Sequence, residues 1–127
     1  MVNRQTPSLS FEVFPPNPAV GNDKIFQALR EMQDLAPHFI SVTASNNKFD
    51  IEETTVRLAE FISNDLEIPT IAHLPAVYLT KEMVSNILQA LDRVGVNQIL
   101  ALRGDIFPDV APKDDFKYAT DLIEYIK

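Results

Sequence analysis

Apolar residues recur along this chain in two rhythms that take turns. Four short segments rich in β-branched or aromatic residues occupy positions 9–14, 39–43, 70–74 and 98–102. Runs of this length and composition predict strands. Between them the apolar positions follow helical spacing: Ile25, Ala28, Leu29, Met32 and Leu35, then Val56, Ala59 and Ile62, then Met83, Ile87, Ala90, Leu91 and Val94. Each set predicts a helix that buries one stripe. Asp50 followed by Glu53 has the form of a capping box for the second helix, and Thr80 can cap the third. Gly95 falls where the third helix must stop, because glycine takes the left-handed conformation without a Cβ clash. A fourth helix is expected to begin near Asp114 and to run through Tyr118, Leu122, Ile123 and Ile126.

The predicted order is therefore βαβαβαβα, with a repeat of about 30 residues, the length of one strand-plus-helix unit. Strands that alternate with helices imply an α/β protein with a parallel sheet and right-handed crossovers. Two architectures accept this pattern: a small open sheet, or part of an eight-unit barrel of about 250 residues. The second and fourth strands are nearly continuous in apolar character, as both require.

Composition narrows the chemistry. The 127 residues, 46% hydrophobic and 23% charged, suit a single domain spanning 1–127 with a hydrophobic core of its own. There is no cysteine, hence no thiol nucleophile, disulfide or thiolate metal site, and His38 and His73 are the only histidines. No metal site is expected. A net charge of −7 disfavours nucleic acid and anionic membrane surfaces as partners. The N-terminal stretch lacks the apolar run of a secretory signal, and no segment approaches the roughly 18 apolar residues of a membrane span, so a cytoplasmic location is expected.

The informative residues are polar ones in or just after apolar strands, where an unpaired polar group costs several kcal/mol, of order 2–7, unless it is paired or in use. Glu12 lies inside the first strand, Thr43 ends the second, His73 lies near the end of the third, and Arg103 and Asp105 follow the fourth. In a parallel sheet all five gather at the carboxyl edge, where α/β folds place ligands and catalysis. Each has a structural alternative: an ion pair between Glu12 and Arg103, an ordinary strand threonine, a hydrogen-bonded core histidine, an Asp105 that closes a turn. With glycine only at 21, 95 and 104, neither a GxGxxG fingerprint nor a P-loop can be assembled. Ser10, Ser41 and Ser45 lack the context of a nucleophile elbow. Asp109, Asp114 and Asp115 suit a solvated loop and helix N-terminus better than a metal site.

Specific strings then point to a family. Ser-Phe-Glu-Val-Phe-Pro-Pro at 10–16, Phe-Ile-Ser-Val-Thr at 39–43, Ala-His-Leu at 72–74, Ala-Leu-Arg-Gly-Asp at 101–105 and Phe-Lys-Tyr-Ala-Thr-Asp-Leu-Ile at 116–123 together resemble methylenetetrahydrofolate reductase. The resemblance covers nearly the whole chain, from about Ser8 onward. It implies a (βα) barrel of TIM type, of which about four of eight units, the N-terminal half, are present. It also implies FAD bound without a Rossmann motif, NADH or NADPH as reductant, and reduction of 5,10-methylenetetrahydrofolate to 5-methyltetrahydrofolate in one-carbon and methionine metabolism.

By the same resemblance Glu12 matches the general acid that promotes ring opening to a 5-iminium cation, and Asp105 matches the carboxylate near flavin and pterin. Thr43, His73 and Arg103 match flavin-contacting positions. To hold a proton near neutral pH Glu12 needs desolvation, which Phe11, Val13 and Phe14 are expected to offer, or an anionic neighbour, which Asp105 can supply. The sequence departs from the family pattern at Ala44, Ser45 and Asn46 and at Pro75 and Ala76. A non-catalytic half-barrel, acting as a binding or oligomerisation module, is the alternative. Either way the open edges of half a barrel are expected to recruit the missing half or a second copy.

Overall fold

A computed structural model describes residues 7–17, 19–44 and 50–127. In chain order it contains β1 (Ser10–Val13), α1 (Asp23–Gln33), β2 (Phe39–Val42), α2 (Arg57–Glu60), β3 (Thr70–Pro75), α3 (Lys81–Arg93), β4 (Gln98–Leu102) and α4 (Ala119–Ile126). Two π-helical turns, Glu52–Val56 and Phe61–Asp65, extend α2 at either end, and a 3-10 turn, Ala76–Tyr78, follows β3. All strand pairs are parallel and the sheet order is β1-β2-β3-β4.

That strictly sequential order decides between the two architectures. A doubly wound sheet reverses its strand order at a switch point and carries helices on both faces. Crossovers of one hand without a reversal put the helices on one face, as in successive units of a TIM-type barrel. On the helix-covered face Val13, Ile40, Val42, Ala72 and Leu74 pack with Leu29, Leu58, Ile62, Val84, Leu91 and Leu122. Fully burying such a side chain contributes about 1.5–3 kcal/mol. The opposite face, which would line a barrel, stays open at its β4 edge, where Leu100 and Leu102 are 44% and 38% exposed.

Local signals explain most boundaries. Thr80 Oγ1 accepts the Met83 amide at 3.1 Å, capping α3. Gly95, at φ +79°, ends it, with the Val96 amide bonded back to the Leu91 carbonyl at 2.9 Å. Asp50 works differently from a capping box: its Oδ1 accepts the Glu52 amide, while the Thr54 hydroxyl, rather than Glu53, completes the turn by donating to the Asp50 carbonyl.

Three helical expectations need correction. The buried stripe of α3 is Val84, Ile87 and Leu91, and Met83 lies outside it, exposed. Leu35 is also exposed, because α1 ends at Gln33 and Leu35 no longer belongs to its stripe. The fourth helix starts at Ala119, not near Asp114. The intervening residues have other partners: the Asp115 carboxylate accepts the Lys81 amide at the N-terminus of α3, and Phe116 is buried. Asp121 then caps α4 by accepting the amides of Lys117 and Tyr118. Asp115 thus serves a helix N-terminus, but that of α3.

Candidate active site

Side chains alternate between the faces of a strand, so Glu12 on β1 and His73 on β3 share the open face while their neighbours enter the core. Thr43, just past β2, and Arg103 and Asp105, just past β4, reach the same place. The five residues line one cleft of about 670 Å³, together with Phe14, Ala44, Pro75, Tyr78, Leu100 and others. The structure brings all five sequence-predicted residues together.

Within the cleft Glu12 Oε1 lies 3.7 Å from His73 Nε2, with the glutamate side chain 55% exposed and the histidine 5%. Burial lowers the His73 pKa below its usual 6.5, with the Glu12 charge pulling partly the other way. The imidazole is therefore neutral at pH 7. His73 Nε2 and Thr43 Oγ1 are buried without a hydrogen-bond partner among the described residues. Buried polar atoms are seldom left so, because each unmade bond costs about 1–3 kcal/mol. Two such atoms in one cleft mark it as the candidate site.

One structural alternative and one expectation about Glu12 fail. Its ionisable partner is His73 rather than Arg103, whose Nε donates to the Gly104 carbonyl at 3.4 Å. Nor do Phe11 and Val13 desolvate it: alternation turns both toward the helices, and Phe14, which does line the cleft, is itself exposed. Of the positions that depart from the family pattern, Ala44 and Pro75 line the cleft. Ser45 and Asn46 lie outside the described residues.

Sequence reading missed the residues that hold this wall in place. The buried Thr55 hydroxyl donates to the Thr43 carbonyl at 3.0 Å, tying the end of β2 to the following helix. Tyr78, buried in the turn after β3, donates to the Asp105 carbonyl at 2.6 Å and accepts the Phe107 amide at 3.0 Å. A polar threonine inside an apolar helical stripe was a legible signal for the first. An aromatic residue two positions beyond Pro75-Ala76 was a weak one for the second.

Parallel βα units with polar side chains converging at the strand ends define the class: part of a TIM-type barrel, with its candidate site at the carboxyl face of the sheet. The chain matches the family model for methylenetetrahydrofolate reductase over residues 1–127 and belongs to that family. It is 35% identical over 121 residues to 5,10-methylenetetrahydrofolate reductase of Buchnera aphidicola, covering 94% of this chain and 40% of that protein. It is 31% identical over 122 residues to methylenetetrahydrofolate reductase 1 of Schizosaccharomyces pombe, covering 93% of this chain and 20% of the relative. A maize relative named methylenetetrahydrofolate reductase (NADH) 1 is 28% identical over 128 residues, with 94% and 21% covered. The chain thus spans well under half the length of these curated relatives.

Proposed function

We propose that the cleft is one wall of the active site of a flavin-dependent methylenetetrahydrofolate reductase, which uses NADH or NADPH to form 5-methyltetrahydrofolate. The observation that carries this reading is the pair of buried atoms without a partner among the described residues, Thr43 Oγ1 and His73 Nε2, in a cleft that also holds Glu12, Arg103 and Asp105. These residues fit a flavin: Thr43, His73 and Arg103 offer hydrogen-bonding atoms to the polar edge of such a ring system. When bound, FAD supplies hydride transfer from the nicotinamide to the folate.

The chain's own residues supply acid chemistry and electrostatics. Glu12, more than half exposed on the open face, is accessible to a substrate. In this role its carboxyl group donates a proton to the folate as the five-membered ring opens. Asp105 keeps a negative charge on the same wall, which favours a cationic folate intermediate. Arg103 and the neutral His73 bind and orient. Water exclusion belongs to the rest of the barrel.

In the same reading residues 1–127 form the N-terminal half of one barrel domain of a cytoplasmic enzyme of one-carbon and methionine metabolism, and further strands cover the open face. Among the described residues no helix is long and apolar enough to cross a membrane. The exposed Leu100 and Leu102 favour a second reading, a half-barrel whose role is association with another chain. One experiment separates the two. The full polypeptide carrying this sequence is purified with FAD, reduced anaerobically with NADH or NADPH, and mixed with 5,10-methylenetetrahydrofolate. A flavin spectrum bleached by the nicotinamide and restored by the folate supports the reductase reading. A protein that takes up no flavin and oxidises no nicotinamide overturns it.

A further inference from the structure

The segment from Arg103 to Tyr118 contains no helix or strand, yet it begins with three residues of the cleft wall, Arg103, Gly104 and Asp105. A long irregular segment keeps its side chains in place only where the rest of the fold ties it down. The ties come from the turn after β3. The Val77 amide donates to the Arg103 carbonyl at 3.0 Å, and the Lys113 amide donates to the Val77 carbonyl at 2.6 Å. Gly104 packs so closely here that a Cβ would lie 3.0 Å from Pro75 Cβ. These contacts fix the two ends of the segment's first part. Between them a single side-chain oxygen makes two bonds: Tyr78 Oη donates to the Asp105 carbonyl at 2.6 Å and accepts the Phe107 amide at 3.0 Å. The tyrosine ring also stacks on Phe107, with centroids 6.2 Å apart and planes 25° apart.

We infer that Tyr78 is a positioning residue: its hydroxyl clamps the backbone on both sides of Ile106 and thereby holds the Asp105 carboxylate, and Arg103 before it, on the wall of the cleft. Tyr78 is 4% exposed, so water competes little for either bond. A phenylalanine at this position would keep the ring stack and lose both bonds. It would leave a carbonyl and an amide to find new partners by moving the loop. The functional consequence, though not the clamp itself, rests on the flavin and folate reading above.

The test is Tyr78→Phe, followed by amide hydrogen exchange and by FAD titration of the full polypeptide. A neutral hydrogen bond is worth roughly a 2- to 10-fold change in an equilibrium. The Phe107 amide is therefore expected to exchange about 10-fold faster while core amides such as those of Ile40 and Leu91 keep their rates. The FAD dissociation constant rises about 10-fold, and KM for the folate rises more than kcat falls. Unchanged exchange at Phe107 overturns the clamp. Faster exchange with wild-type FAD affinity and KM overturns the positioning role. If the wild-type polypeptide takes up no flavin, the reductase reading fails by itself. Exchange at Phe107 and the amide shifts of Arg103 and Asp105 then decide the clamp.

Discussion

Glu12 Oε1 stands 3.7 Å from His73 Nε2, so a half-exposed carboxylate and a buried imidazole share one polar corner of the sheet. The pairing is asymmetric: burial acts on His73 more strongly than the glutamate charge does, and its pKa falls.

A pH dependence of stability follows. The unfolded chain takes up a proton on His73 near pH 6.5, whereas the folded chain resists until a lower pH. Over that interval the unfolded state binds more protons, so the His73 contribution is fully present above 6.5 and declines as the pH falls toward the folded value. Urea unfolding at pH 7.5 and 5.5 should show wild type losing more stability on acidification than His73→Gln does. Equal losses, or a wild type that gains, would contradict the buried neutral imidazole.

Gly104 is expected to resist substitution. It sits at φ +94°, and an added Cβ would meet Pro75 Cβ at 3.0 Å and Val77 Cγ2 at 3.3 Å. Backbone strain and the forced shift of the β3 turn should together cost about 1–3 kcal/mol for Gly104→Ala. Gly21, which has a positive φ but, among the described residues, nothing within 4 Å, is the control and should lose less. Equal losses measured by denaturant midpoint would remove the close approach as the cause.

Strand and helix order was legible because each period is set by one local fact, the alternation of β side chains or the stripe of a helix, and Thr80 and Gly95 marked their boundaries where expected. Convergence of Glu12, Thr43, His73, Arg103 and Asp105 was legible too, since parallel strands bring their carboxyl ends to one edge. What escaped was set by tertiary contacts. The start of α4 depends on Asp115 serving α3 and on Phe116 entering the core. The surroundings of Glu12 depend on face: neighbours in sequence such as Phe11 and Val13 are opposite in space. Tyr78 gave little signal because its role is to hold backbone atoms 27 and 29 residues away.

The 127-residue chain by itself should self-associate. Its open sheet face exposes Leu100, Leu102 and Phe14, and among the described residues β1 and β4 each have an unpaired edge. Sedimentation at micromolar concentration should give a mass above the 14.3 kDa of one chain. Leu102→Lys should shift the distribution toward monomer. A wild-type monomer with cooperative unfolding would show that the open face is tolerated in water.

The acid role of Glu12 is the centre of the account, and separating the two half-reactions of the full polypeptide tests it most directly. Glu12→Gln keeps the shape of the side chain and removes its exchangeable acid proton. Rapid-mixing absorbance should show NADH or NADPH reducing the flavin at close to the wild-type rate, while reoxidation by 5,10-methylenetetrahydrofolate slows by about 100-fold or more. Equal slowing of both halves, or a folate half-reaction left at the wild-type rate, would contradict it.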